Sequence, residues 1–120
     1  MSSDALSSFA WLDGIAVAAT VCNRDGVCVY MNEQAALMFA KDGGRALIGK
    51  NLLDCHPEPA RARFAAQLVT PAPNTYTIEK HGEHKLIHQT PWFENGVFAG
   101  VVELSFAVPA ALPLFVRDAG

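Results

Sequence analysis

The sequence has no cluster of basic residues and little charge of either sign: 18% of its residues are charged and the net charge is -3. A nucleic-acid surface needs a basic patch or stripe, so that class of partner is excluded. Long apolar runs are missing too. The longest, residues 15–22 and 106–116, fall well short of the roughly 20 residues of a membrane span, and Pro109 and Pro113 interrupt the second. The opening Met1-Ser2-Ser3-Asp4 lacks the positive start of a secretory signal. Cysteine is scarce and odd in number. Cys22, Cys28 and Cys55 form neither a zinc spacing nor an even disulfide framework, and they read as small buried hydrophobes in a reducing compartment. No repeat or low-complexity tract is visible. These absences describe a soluble, cytoplasmic chain.

What the chain does have is apolar residues. At 51% hydrophobic over 120 residues it is expected to fold as one domain, core about 5–108 with an apolar tail over 109–120. A chain of this length buries roughly two thirds of its unfolded surface.

Leu6, Phe9 and Leu12 recur at helical spacing behind Asp4, a suitable N-cap, and Asp13-Gly14 ends that helix. Residues 15–22 are apolar enough for a strand buried on both faces. Asn23-Arg24-Asp25-Gly26 reads as a hairpin turn, with Val27 to Met31 as the returning strand. A three-residue loop there sets Cys22 opposite Cys28, close enough for a redox pair or for two ordinary core thiols. Asn32 caps a short helix through Phe39, Gly43-Gly44 breaks the chain, and Ala46 to Ile48 is expected to make another helical turn. Gly49 then opens a turn, with an apolar helical stretch from Leu52 and the step Cys55-His56-Pro57 behind it. Pro57 and Pro59 suit the first turn of a helix over 57–69, with Phe64, Leu68 and Val69 on its apolar face and Arg61, Arg63 and Gln67 in water.

The last third alternates. Thr75 to Lys80, Lys85 to Trp92 and Val97 to Val108 read as strands joined by turns at His81-Gly82-Glu83 and Glu94-Asn95-Gly96. Gln89, Thr90 and Glu103 are polar residues inside these strands. An inward Gln89, on the face of Ile87, would orient a polar ligand group, and an outward one would simply be solvated; a one-residue register change exchanges the two. An inward Glu103 needs a partner. His84 and His88 share a strand face but lie roughly 13 Å apart. His81 and His84 flank a turn, and two ligands make a poor site. No metal site is expected.

The order of elements resembles the PAS domain family, and residues carry the resemblance. Leu12-Asp13-Gly14-Ile15 is similar to the family's opening, Arg24-Asp25-Gly26 with Val29-Tyr30-Met31-Asn32 to its first hairpin and helix cap, Ile48-Gly49-Lys50 to its central turn, and Glu94-Asn95-Gly96 through Gly100-Val101-Val102 to its final hairpin. Cys55-His56-Pro57 is similar to a subgroup of bacterial PAS sensors. The resemblance implies an α+β fold: a five-stranded antiparallel sheet with short helices over one face and an N-terminal helix. It implies a pocket between sheet and helices, with Phe39, Leu52, Cys55, His56, Phe64, Ile87 and Gln89 as its residues.

The resemblance also implies a non-enzymatic sensory module that binds a small molecule and acts through association, as a homodimer through Leu6, Phe9 and Trp11 or with a signalling partner. No nucleophile–base pair, paired carboxylates or phosphate loop speaks for an enzyme. The flavin-adduct subgroup carries its cysteine where Leu52 stands here, which argues against that chemistry. Haem sensors of the family take an axial histidine, for which His56 is the candidate, although it comes early in its helix. Two alternatives stay open: a haem-binding gas or redox sensor, and a ligand-free dimerisation module whose interior is filled by Phe39, Phe64, Trp92 and Phe98.

Overall fold

The computed structural model describes residues 10–118. Residues 10–14 are helical and stop at Gly14, so the ending of the first helix is as expected, while Asp4, Leu6 and Phe9 lie outside the described residues. Five antiparallel strands follow: β1 (Ala18–Asn23), β2 (Cys28–Met31), β3 (Asn74–Lys80), β4 (Glu83–Glu94) and β5 (Val97–Val108), in the sheet order β2-β1-β5-β4-β3. Between β2 and β3 the chain forms helix α1 (Glu33–Met38), 3₁₀ turns η1 (Ala40–Asp42), η2 (Gly44–Leu47) and η3 (Leu52–Cys55), and helix α2 (Ala60–Val69). The fold is therefore the expected α+β sheet with short helices. Among the described residues no helix is long and apolar enough to cross a membrane.

Turn chemistry fixes the sheet. The Asn23 amide donates to the Val27 carbonyl at 2.9 Å, and Gly26 takes φ 87°, the left-handed value that a bulged hairpin requires. Cys22 and Cys28 consequently pair across β1 and β2, both buried and both as free thiols. The other two hairpins each use two residues at positive φ, His81 with Gly82 and Asn95 with Gly96. That is the geometry matching the twist of antiparallel strands.

Asn32 ties the two ends of this scaffold together. It is fully buried, and its Oδ1 accepts from the amides of Ala35 at 3.0 Å and Ala19 at 2.9 Å. Its Nδ2 donates to the carbonyls of Leu12 at 2.9 Å and Val17 at 2.7 Å. One side chain thus caps α1, continues the β1 ladder and anchors the segment leading into β1. Around it pack Ala18, Cys28, Met31, Ala35 and Leu47; a second cluster joins Cys22, Phe64 and Val101.

Several boundaries and faces differ from the sequence reading. The first strand begins at Ala18 rather than residue 15, and the second 3₁₀ turn covers Gly44–Leu47 rather than starting at Ala46. Helix α2 begins at Ala60, because Pro57 to Pro59 serve as a connector, Pro59 taking the N-cap position. Val69 is 82% exposed, whereas Gln67 turns toward the sheet and bonds Gln89. At about 100° per residue, Gln67 and Leu68 share a face with Phe64, and Val69 rotates away from it. Beyond Val108 the tail runs exposed, with Leu112, Leu114, Phe115 and Val116 all open to solvent.

Candidate functional site

The segment before α2 is held against the first hairpin by backbone bonds. Cys28 N–H donates to the Lys50 carbonyl, Gly49 N–H to Cys28 and Leu52 N–H to Gly26, at 2.8–2.9 Å, while Val27 bridges to Asn51. Asn51 caps η3 by accepting from the Leu53 amide at 2.9 Å and reaches the Asp25 carbonyl with its own amide. Gly26 is required at the crossing, since a Cβ there would meet Asn51 Oδ1 at 3.0 Å. The result is a rigid lip of chain facing the sheet.

His56 ends that lip. It follows η3 instead of starting α2, which corrects the placement expected from Pro57. Its Nδ1 lies 2.6 Å from the Leu52 carbonyl. A carbonyl oxygen only accepts, so Nδ1 carries the hydrogen and Nε2 of the neutral ring is left as an acceptor. The ring stacks on Phe64 at 5.2 Å between centroids, with 28° between planes.

Between this lip, α2 and the sheet lies a cavity of about 240 Å3. Phe39, Leu52, Cys55, His56, Phe64 and Gln89 line it, together with Thr20, Cys22, Met31, Asp42, Leu47, Tyr76, Val101 and Glu103. A second hollow of about 370 Å3 shares His56, Phe64, Tyr76 and Gln89 with the first and adds Arg63 and Asn74. Ile87 does not line the cavity. It is buried on the same strand face as Gln89 but two residues further along, opposite Ser105, beyond the cavity's end.

Gln89 faces inward, which resolves the register ambiguity, and most of its amide is already bonded within the protein. Its Nε2 donates to Glu103 Oε2 at 2.9 Å, and its Oε1 accepts from Gln67 Nε2 and Asn74 Nδ2, each at 3.1 Å. The carboxylate can only accept, so the amide orientation is determined. Glu103, opposite both Thr20 and Gln89 in the sheet, is the polar group that this network aims at the cavity. Burial, then the Glu103 charge, push the Tyr76 phenol up, with Arg63 opposing. Burial likewise raises the thiols of Cys22 and Cys28.

The remaining polar strand residues take ordinary roles. Thr90 Oγ1 reaches the Pro91 carbonyl, Thr75 Oγ1 pairs with His88 at 2.7 Å, and His84 Nε2 lies 3.2 Å from Glu79. Trp92, expected as pocket filler, donates from Nε1 to the Cys22 carbonyl at 3.0 Å. Sequence reasoning left Asp42 and Tyr76 out of the site. Tyr76 carried a signal in the alternation of β3; Asp42 carried none.

The family is decided by sequence. A profile described as PAS fold matches residues 12–105. The chain belongs to the PAS family. PAS domains are sensory signalling modules, and this one's solved structural neighbours agree in fold. The PAS domain of BvgS from Bordetella pertussis superimposes with TM-score 0.65 at 16% identity, covering 89% of this chain and 88% of that one. A sensory box sensor histidine kinase from Vibrio cholerae gives 0.59 at 21% identity, covering 89% and 93%. The Aer2 receptor from the same organism, described as a dual PAS-heme oxygen sensor, gives 0.59 at 17%, covering 82% and 99%. No curated protein matches the chain.

Proposed function

We propose that this PAS domain is a non-catalytic sensor that takes a small molecule into the cavity under His56 and Glu103 and signals through protein association. The observation that carries the reading is the cavity itself: apolar for most of its wall, with a carboxylate held in place by a side-chain network that spans α2, β3, β4 and β5. Concave, mostly apolar sites with a few oriented polar groups are the usual form of a small-molecule site. Phe39, Leu52, Cys55, His56 and Phe64 form its apolar and aromatic side, with Gln89 as the residue that positions Glu103.

The partner we infer is a second copy of the chain. Exposed Trp11 and the open apolar tail support a surface that another subunit covers. Leu6 and Phe9, beyond the described residues, belong to the same proposal. The free thiols suit a reducing, cytoplasmic setting, and the organisms of the neighbours support a bacterial one.

Haem fits the residues poorly. His56 offers an acceptor nitrogen with its other nitrogen fixed by a carbonyl, as axial ligands often are. The cavity of about 240 Å3, however, lies below the roughly 300–1,000 Å3 of sites for drug-sized ligands, and carboxylates of Asp42 and Glu103 enter its wall. A ligand-free association module is the stronger alternative, because the bond between Gln89 and Glu103 Oε2 forms without a guest.

Native mass spectrometry of the purified chain tests the proposal. The expected spectrum is a dimer, with a small non-covalent mass that leaves on activation. A bare chain whose cavity resonances also stay unmoved by a mixture of small metabolites would establish the ligand-free module instead.

A further inference from the structure

We propose that the ligand is a small cation that donates hydrogen bonds, a protonated primary amine on an aromatic or apolar body. This rests on the reading of the cavity as a ligand site.

Charge argues it first. Asp42 and Glu103 stand in the wall, and no lysine or arginine does. An anionic guest would meet like charge in a partly desolvated space, where such an encounter is costly. A cation would be drawn in.

Hydrogen-bond valence points the same way. The network satisfies Glu103 Oε2 through Gln89, while among the described residues no protein donor is bonded to Oε1. With Nδ1 donating to the Leu52 carbonyl, the neutral form of His56 presents Nε2 as an acceptor. Gln89 is largely committed, one N–H of its Nε2 serving Glu103 and its Oε1 already accepting twice. Glu103 Oε1 is therefore an ionised acceptor in the cavity wall that wants a donor. An ammonium group supplies three.

The remaining wall suits the rest of such a molecule. Phe64 and Tyr76 bring aromatic rings to the same wall, Tyr76 close enough for the Glu103 charge to act on its phenol, and a cation near an aromatic ring face gains further attraction. The one guanidinium nearby, Arg63, belongs to the adjoining hollow, outside the cavity wall.

The test compares three probes of similar shape on the full chain: 2-phenylethylammonium, 2-phenylethanol and 3-phenylpropionate. Affinities come from calorimetry, and the site from amide resonances of cavity residues. The amine is expected to bind about tenfold or more tighter than the alcohol, which can donate to Glu103 but carries no positive charge to be attracted by it, with the carboxylate weakest. Glu103→Gln, which can still accept from Gln89, is expected to weaken the amine far more than the alcohol, so that the two bind within about twofold of one another. If the alcohol or the carboxylate binds at the cavity as tightly as the amine, the cation proposal is overturned and the ligand site stands. If none of the three moves the cavity resonances, both readings fail together. The wild-type series decides by itself if the variant does not fold.

Discussion

Replacing Asn32 by alanine removes the most heavily used side chain among the described residues. Four bonds are lost: two to the buried amides of Ala19 and Ala35, and two to the part-buried carbonyls of Leu12 and Val17. A buried donor left without a partner costs about 1–3 kcal/mol, so the two amides together account for roughly 2–6. Water can reach the two part-buried carbonyls, and each then loses only the net value of its bond, about 1 kcal/mol. The expected cost is therefore about 4–8 kcal/mol, a large fraction of the 5–15 kcal/mol by which a domain is stable. Asn32→Asp separates the contributions. It keeps both acceptor roles but loses both donations and buries a charged oxygen against the Leu12 and Val17 carbonyls, so it should cost at least as much as alanine. Urea denaturation followed by circular dichroism measures both, and amide exchange at Ala19 and Ala35 reports the local change. An alanine variant within about 2 kcal/mol of wild type, at unchanged urea dependence, would refute the reasoning.

Gly100 sits where β5 presses on β1, and an alanine Cβ there would lie 1.8 Å from the Cys22 carbonyl oxygen and 2.8 Å from Trp92 Nε1. The strand backbone must shift, so Gly100→Ala should cost about 3 kcal/mol or more by urea denaturation; a loss under about 1 kcal/mol would mean that the two strands part easily at that point. Stability should also fall at alkaline pH. The folded thiols of Cys22 and Cys28 and the phenols of Tyr30 and Tyr76 are all raised from ordinary values of 9.0 and 10.0, mainly by burial. Their contribution is complete below the unfolded values and is lost as pH rises through the raised folded ones. Urea midpoints that stay flat or climb above about pH 9 would contradict this.

How much of this was legible in the sequence follows from which interactions are local. The hairpins at Asn23–Gly26 and Asn95-Gly96 were readable because a positive φ restricts residue choice within four positions of chain. The cap at Asn32 was readable for the same reason, since its bond to Ala35 spans three residues. Its bonds to Ala19, Leu12 and Val17 were not, because they exist only once β1 and β2 have paired. Proline misled at Pro57: the first-turn preference holds at Pro59, beside the helix, while Pro57 belongs to the connector.

The site divides along the same line. Most of the residues legible as pocket, Leu52, Cys55, His56 and Phe64, lie on η3, its end and the helix that follows, where apolar spacing and resemblance to the family both pointed. Gln89 was undecidable by alternation alone, because either face of a half-buried strand accommodates it. What decided it was Glu103 directly opposite on β5, a pairing fixed by the Asn95-Gly96 turn and the bulge at Trp92/Phe93. Had the two strands slipped by one residue, Glu103 would meet a different neighbour and the cavity would lose the network that orients its carboxylate. The turn chemistry of β4 and β5, about as local as sequence signals come, is thus what sets the polar group of the cavity in place. Asp42 reaches the same wall by no local rule, from the end of η1 just before the left-handed break at Gly43.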